Sequence, residues 1–222
     1  MSFVPRLDAL PKSQQRLWPE LKQVPPYFVL YGGTAVALRL GHRESLDFDF
    51  FANQEFNPAV LLASLPLLRG AVIYDSKPNT LTVEVDRGER VKISFFGGMS
   101  LGRVQNPEST DDGVMMVASL LDVAAAKMKV ILERIQRRDY VDICALLKAG
   151  VKLADMLAAA QALHDEFNPM ISLRAVGYLK DGDLPSLPDD VKKTLTKAAG
   201  ETCRGDIPPM AKLPGGLVPP DI

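Results

Sequence analysis

The sequence contains few of the residues that form disulfide frameworks or zinc sites. Its 222 residues include two cysteines, Cys144 and Cys203, and two histidines. Two thiols far apart in sequence do not form the dense disulfide pattern of small secreted domains. Two cysteines and two histidines also give little support to a zinc site. These counts favour a protein with reduced thiols in the cytoplasm.

The chain also lacks an excess of either charge. Lys and Arg total 26 against 27 Asp and Glu, so the formal net charge is −1. Such a chain has no general attraction to nucleic acids or acidic membranes, and any site for a polyanion must be local. No apolar run has the length of a membrane span, and the first residues lack the apolar stretch of a signal peptide. We therefore expect a cytoplasmic protein with no membrane partner.

What the sequence does contain is a large apolar fraction whose pattern changes along the chain. Hydrophobic residues make up 47% of the sequence, which is enough to form a core. The N-terminal residues up to Lys22 are typical of an amphipathic helix, and further helices are predicted at 34–40 and 58–68. Short β-branched and aromatic segments between turn residues predict strands. These strands are predicted at 27–31, 45–51, 71–74, 80–85 and 90–96.

Helical sequence dominates after residue 112. Residues 117–147 contain no Gly or Pro, and more helical sequence follows at 152–167. The tail after Gly205 carries five of the 17 prolines and shows no periodicity. The sequence therefore predicts an α+β fold, with a mixed sheet flanked by helices and a helical C-terminal half. We expect an α/β domain at 1–112, a helical region packed on it at 113–204, and an irregular tail at 205–222.

Two aspartates alternate with apolar residues in the predicted strand at 45–51. On a strand, Asp47 and Asp49 point to one side while Leu46, Phe48 and Phe50 point to the other. Their Cα atoms are then about 6.6 Å apart, close enough for two carboxylates to share a divalent cation. The same pattern by itself is also typical of a solvent-facing strand. Asp47 and Asp49 are therefore candidate metal ligands.

A glycine pair precedes this strand, at the end of one predicted strand and the start of a helix. Gly32, Gly33 and Thr34 occupy this junction. Backbone N–H groups and the helix dipole at a helix start favour phosphate, and glycine lets the ligand approach the backbone. Together with the two aspartates, the junction predicts a triphosphate site. There Mg²⁺ or Mn²⁺ would orient the α-phosphate, activate an attacking hydroxyl and stabilise the leaving pyrophosphate.

A second charged segment lies in the predicted helix at 117–147. Lys127, Arg134 and Arg138 would form one basic stripe on a continuous helix. A solvated face with salt bridges to Glu133 and Asp139 is the alternative explanation.

Residues 31–51, which contain the glycine pair and the two aspartates, resemble the first motif of the AbiEii/AbiGii-type nucleotidyltransferases. These are toxins of type IV toxin–antitoxin pairs and belong to the polymerase-β-like superfamily. The resemblance implies that Asp47 and Asp49 bind metal and that Arg43 and Ser45 lie near the nucleotide. It covers roughly residues 27–150.

The pattern K-x6-R-x3-RD-x2-D between Lys127 and Asp142 is similar to a later motif of that family. The resemblance implies that Lys127 provides a cation for the triphosphate. It also implies that Asp142 activates the acceptor hydroxyl or positions the lysine. On one straight helix these residues would lie about 22 Å apart, too far to serve one nucleotide. We therefore expect a helix break near 134–138, which Arg137, Arg138 and Asp139 would cap or pin.

One position departs from the superfamily pattern. Many polymerase-β-like enzymes carry a third carboxylate on a later strand, where this chain has Ser94. A serine does not provide the negative charge that holds a second cation. The chain would then use fewer metal ligands, recruit Asp142 or Glu84, or be impaired in turnover.

The sequence thus predicts a metal-dependent enzyme that moves a nucleoside monophosphate from an NTP to a hydroxyl of RNA, tRNA included, or of protein. The resemblance adds a toxin role and a cognate antitoxin. One alternative is a catalytically degenerate protein of the same fold that binds a nucleotide or a partner. Another is a switch in which Ser45 itself receives a phosphate or nucleotide.

Overall fold

A computed structural model of the protein describes residues 2–219. The chain forms two compact units. The first comprises residues 2–102, 106–119 and 214–219, and the second comprises residues 103–105 and 120–213. Met1 and residues 220–222 of the predicted domain ranges lie outside the described residues, and the boundaries expected at 112 and 204 stay a prediction.

The first unit contains a mixed sheet of eight strands. Its spatial order is β1-β7-β8-β2-β3-β6-β5-β4, with β3 and β6 parallel and β2 and β3 antiparallel. The strands are β1 (Ser2–Phe3), β2 (Val29–Tyr31), β3 (Asp47–Phe51), β4 (Val72–Lys77), β5 (Thr80–Asp86), β6 (Arg90–Phe96), β7 (Glu108–Thr110) and β8 (Met116–Val117). The sequence did not predict β1, β7 or β8, because segments of two or three residues have no measurable periodicity.

Alternation along the central strands explains which face they bury. In β3, Phe48 and Phe50 are fully buried, whereas Asp47 and Asp49 are partly exposed. In the core, Phe50 stacks on Phe48 and on Phe95 of β6. Leu46 was expected on this buried face, but it is 65% exposed. That expectation was wrong because β3 begins at Asp47, so the strand period does not apply to Leu46.

Three α-helices accompany the sheet: α1 (Lys12–Leu17), α2 (Gly32–Leu40) and α3 (Pro58–Ser64). Short 3₁₀ segments occupy Leu7–Ala9, Trp18–Gln23 and Pro66–Leu68. The single helix expected up to Lys22 is therefore divided. Pro11 precedes α1 and Pro19 lies in the following 3₁₀ segment, and proline removes a backbone donor that a continuous helix needs. Helix α2 ends at Leu40, as the sequence predicted, and Gly41 follows it in the left-handed conformation.

The second unit contains five α-helices and short 3₁₀ segments at Leu184–Ser186 and Arg204–Asp206. The α-helices are α4 (Leu120–Glu133), α5 (Arg137–Lys148), α6 (Leu153–Leu163), α7 (Pro169–Gly177) and α8 (Asp189–Glu201). Helix α4 packs against α5, α6 and α7. The helical structure is interrupted between Glu133 and Arg137. This is where a break was expected if Lys127 and Asp142 are to lie close together. Among the described helices, none combines the length and the apolar composition needed to cross a membrane.

Candidate active site

The glycine pair lies where β2 ends and α2 begins. Tyr31 occupies the N-cap position without a side-chain capping hydrogen bond, and Gly32 and Gly33 begin the first turn, where backbone N–H groups have no partner within the helix. Gly32 has φ of +74°, which L side chains rarely adopt. A Cβ atom at Gly32 would lie 2.9 Å from Oδ2 of Asp49. The positive φ favours glycine at this position, and the short distance shows that the start of α2 lies against a carboxylate of β3.

Gly32→Ala is expected to destabilise the protein by about 1–3 kcal/mol, since alanine is strained at positive φ and its Cβ would displace the Asp49 carboxylate. Urea unfolding measures this loss. Gly70→Ala is the matched control, because Gly70 also has φ of +74° but a Cβ atom there would meet no described atom within 4 Å. A loss at Gly32 no greater than at Gly70 would show that the approach to Asp49 adds nothing.

The two aspartates occupy one face of β3. Asp49 is opposite Tyr31 in β2 and beside Ser94 in β6, and Asp47 is beside Lys92 in β6. Paired residues on neighbouring strands point to the same face of a sheet. Asp47, Asp49, Ser94 and Lys92 therefore share the face opposite the buried phenylalanines.

Thr34 lies in the first turn of α2, and the side chains of Arg43 and Ser45 lie against that turn. The hydroxyl of Thr34 donates to the backbone carbonyl of Asp47 and lies 2.8 Å from Oγ of Ser45. A Cβ atom at Gly33 would lie 3.2 Å from Oγ of Ser45 and would clash with the guanidinium of Arg43. The structure thus brings together all the residues that the first motif predicted. Thr34 is only 1% exposed, so its hydroxyl ties α2 to the acidic strand rather than facing solvent.

The position expected for a third carboxylate holds Ser94. This serine is 3% exposed and lies between Asp49 of β3 and Thr82 of β5. The carboxylate of Glu84 instead accepts a hydrogen bond from Tyr74 at 2.8 Å. Among residues 2–219, no group of three or more His, Cys, Asp and Glu side chains is arranged to hold a metal ion.

The donor set nevertheless fits a magnesium ion that is shared with a substrate. Mg²⁺ is commonly held by one or two carboxylates together with substrate phosphates, rather than by a cage of protein ligands. Asp47 and Asp49 provide two carboxylates on one face, beside a helix start suited to phosphate.

A second cluster lies in the other unit, where α4 turns into α5. Nζ of Lys127 lies 2.8 Å from Oδ1 of Asp139 and 2.6 Å from Oδ2 of Asp142. Arg134 Nε lies 3.0 Å from the other oxygen of Asp139. The Lys127 side chain is 6% exposed and both aspartates are fully buried. The break after α4 therefore does bring Lys127 and Asp142 together.

Asp139 is the centre of this cluster, although the sequence indicated only a role at the break. Its position three residues before Asp142 places both aspartates on one face of α5, which is the signal that would have found it. Burial raises the pKa of Asp139, but Arg134 and Lys127 together outweigh burial, so this pKa lies below its usual value. Arg138 is not in the cluster, because its Nε donates to Gln136. The basic stripe expected on a continuous helix is therefore absent.

Comparison with known proteins gives a consistent result. The model of a family described as "Nucleotidyl transferase AbiEii toxin, Type IV TA system" matches residues 19–202. An uncharacterized protein of Aquifex aeolicus (strain VF5) is 31% identical over 158 residues, which are 69% of this chain and 74% of that protein.

Two solved structures resemble the fold. A candidate nucleotidyltransferase from H. pylori superposes with a TM-score of 0.54 at 18% identity, over 85% of this chain and 92% of its own. MenT4, a nucleotidyltransferase toxin from Mycobacterium tuberculosis H37Rv, superposes with a TM-score of 0.56 at 16% identity, over 87% and 84%. These likenesses confirm the predicted α+β class with a nucleotidyltransferase-type mixed sheet.

Proposed function

The chain belongs to the AbiEii family of nucleotidyltransferase toxins of type IV toxin–antitoxin systems, and we propose that it transfers NMP from an NTP to a hydroxyl of RNA or protein. One observation carries this proposal: the first turn of α2 lies directly against the carboxylate of Asp49. This contact brings a helix start suited to phosphate close to an aspartate suited to a metal ion, which supports the proposal.

In the proposed reaction, N–H groups at the start of α2 bind the triphosphate, and Arg43 and Ser45 flank it. Asp47 and Asp49 would hold Mg²⁺ or Mn²⁺. A bound divalent ion supplies charge stabilisation for the pentavalent phosphorus and the leaving pyrophosphate. The acceptor hydroxyl oxygen forms a bond to the α-phosphorus, the bond to pyrophosphate breaks, and the hydroxyl proton passes to a base. The hydrogen bond from Thr34 to the Asp47 carbonyl fixes β3 relative to α2.

We further propose that Lys127 contributes a cation to the triphosphate and that Asp142 positions it. An ammonium group has three N–H donors. Asp139 and Asp142 take two of them at 2.8 Å and 2.6 Å, which leaves one donor for a phosphate oxygen. The partners proposed on this basis are an NTP, an RNA (tRNA included) or protein acceptor, and a cognate antitoxin.

The direct test is to incubate the protein with each α-labelled NTP, Mg²⁺ and either total RNA or cell extract. Label that becomes attached to a macromolecule supports the proposal. Sensitivity of the label to ribonuclease or to protease then identifies the acceptor class. Absence of label on every acceptor, from a protein that binds NTP, would contradict it.

That contrary result would favour a second candidate function, a nucleotide-binding protein without turnover. Ser94 is the observation behind it, because a buried serine lies beside Asp49 where other enzymes of the superfamily carry a carboxylate. Modification of Ser45 is the less favoured alternative, since Ser45 is only 6% exposed and lies against the Thr34 hydroxyl.

A further inference from the structure

Lys92 is a cationic residue that the strand register places directly beside the acidic pair. It lies in β6 and is paired in parallel register with Asp47 of β3, next to the pair formed by Ser94 and Asp49. Neighbouring strands are about 4.8 Å apart, and paired side chains point to the same face. The side chain of Lys92 therefore rises from the same face as both aspartates.

The ammonium group of Lys92 is not used to stabilise the fold. Lys92 is exposed, and within residues 2–219 it forms neither an ion pair nor a side-chain hydrogen bond. Its neighbour on the other adjacent strand, β5, is Glu84. The carboxylate of Glu84 accepts a hydrogen bond from Tyr74 and lies 3.4 Å from Arg90. Among the described residues, no contact of Lys92 explains a lysine at this position.

A lysine beside two metal-binding carboxylates affects the binding of a metal ion and the binding of a triphosphate in opposite directions. Its positive charge repels a metal ion that binds Asp47 and Asp49 alone. The same charge attracts a triphosphate, with which lysine forms charge-assisted hydrogen bonds. Ser94 adds no negative charge to this face, and the carboxylate of Glu84, the other strand neighbour of Lys92, accepts a hydrogen bond from Tyr74 and lies 3.4 Å from Arg90.

We propose that Lys92 is a substrate-binding residue that contacts the triphosphate of the NTP. This inference rests on the proposed function. The positive charge is that of the Lys92 side chain, and the strand register fixes its position beside the two aspartates. It predicts that Lys92 strengthens binding of the nucleotide and weakens binding of the metal ion alone.

The test measures two affinities on the intact protein. Calorimetry with an α,β-methylene NTP and Mg²⁺ gives the affinity for the nucleotide, and electron paramagnetic resonance of Mn²⁺ without nucleotide gives the affinity for the metal. Lys92→Met is expected to weaken nucleotide binding by about 10–100-fold, which is the value of a charge-assisted hydrogen bond. It is expected to leave Mn²⁺ binding unchanged or to strengthen it. Lys92→Arg should retain most of the nucleotide affinity.

Lys77→Met is the matched control, because Lys77 is an exposed lysine of β4 that pairs with Asp75 at 3.1 Å. It should change neither affinity. Equal nucleotide binding by the wild type and Lys92→Met would overturn the inference and leave the proposed function standing. A parallel loss of nucleotide and Mn²⁺ would also overturn it, since that result indicates general damage to the site. A wild type that binds no NTP would overturn both the inference and the proposed function.

Discussion

Replacing Asp47 and Asp49 together with asparagine is expected to reduce nucleotidyl transfer by about a thousandfold without unfolding the protein. The substitution keeps the shape of each side chain and removes both negative charges. A catalytic metal ion contributes several kcal/mol of transition-state stabilisation, and each 1.36 kcal/mol corresponds to a factor of ten in rate. Initial rates of label incorporation from the α-labelled NTP, compared with the wild type, measure the effect.

Stability gives the internal check on this double variant. Both aspartates are partly exposed and lie on one face of β3, so their like charges repel and asparagine removes that repulsion. Urea unfolding should therefore show a loss of at most about 1 kcal/mol, which is the usual contribution of a carboxylate beside a helix start, as Asp49 is beside α2. Asp111→Asn is the matched control for charge, because Asp111 is an exposed residue of the same unit and should retain full activity. A double variant that transfers nucleotide at the wild-type rate would exclude metal binding by this pair as the basis of catalysis.

Lys127→Met is expected to lower the free energy of unfolding by about 3–5 kcal/mol, which is the usual effect of removing one partner from a buried ion pair. The substitution removes the ammonium group that lies 2.8 Å from Asp139 and 2.6 Å from Asp142, and both of these carboxylates are fully buried. Urea unfolding followed by circular dichroism measures the loss. The same variant should also bind NTP more weakly if Lys127 contributes to the triphosphate site.

Lys129→Met is the matched control on the same helix. Its ammonium group is 40% exposed and lies 3.5 Å from Glu133, a surface pair four residues apart. Such pairs contribute less than about 1 kcal/mol, so the control should unfold close to the wild type. A loss below about 1 kcal/mol for Lys127→Met would mean that the cluster does not hold α4 and α5 together.

The cluster also predicts how stability depends on pH. Because the pKa of Asp139 in the folded protein lies below its ordinary value of 3.8, its contribution is present above that pH. The contribution is lost as the pH falls through the lower pKa of the folded state. In Lys127→Met a favourable charge interaction is missing, so the pKa of Asp139 should rise and acid unfolding should begin at a higher pH.

Local sequence was sufficient to predict much of the secondary structure around the candidate site, because these elements are defined by short-range rules. The alternation at Phe48 and Phe50 predicted the buried face of β3, and Gly41 predicted the end of α2. The resemblance assigned Lys127 and Asp142 to one site, and their separation on a straight helix then predicted a break between two helices. These features depend on residues that are close in sequence, so they can be predicted from the sequence without the tertiary structure.

What the sequence by itself determined is therefore the α+β class, the glycine junction and the identity of the acidic pair. Only the tertiary structure placed Lys92 beside Asp47 and Ser94 beside Asp49, because parallel strands pair residues far apart in sequence. It also made Asp139 the shared partner of Lys127 and Arg134. The register between strands and the packing of one helix on another are set by the whole core, and periodicity within a single segment does not specify them.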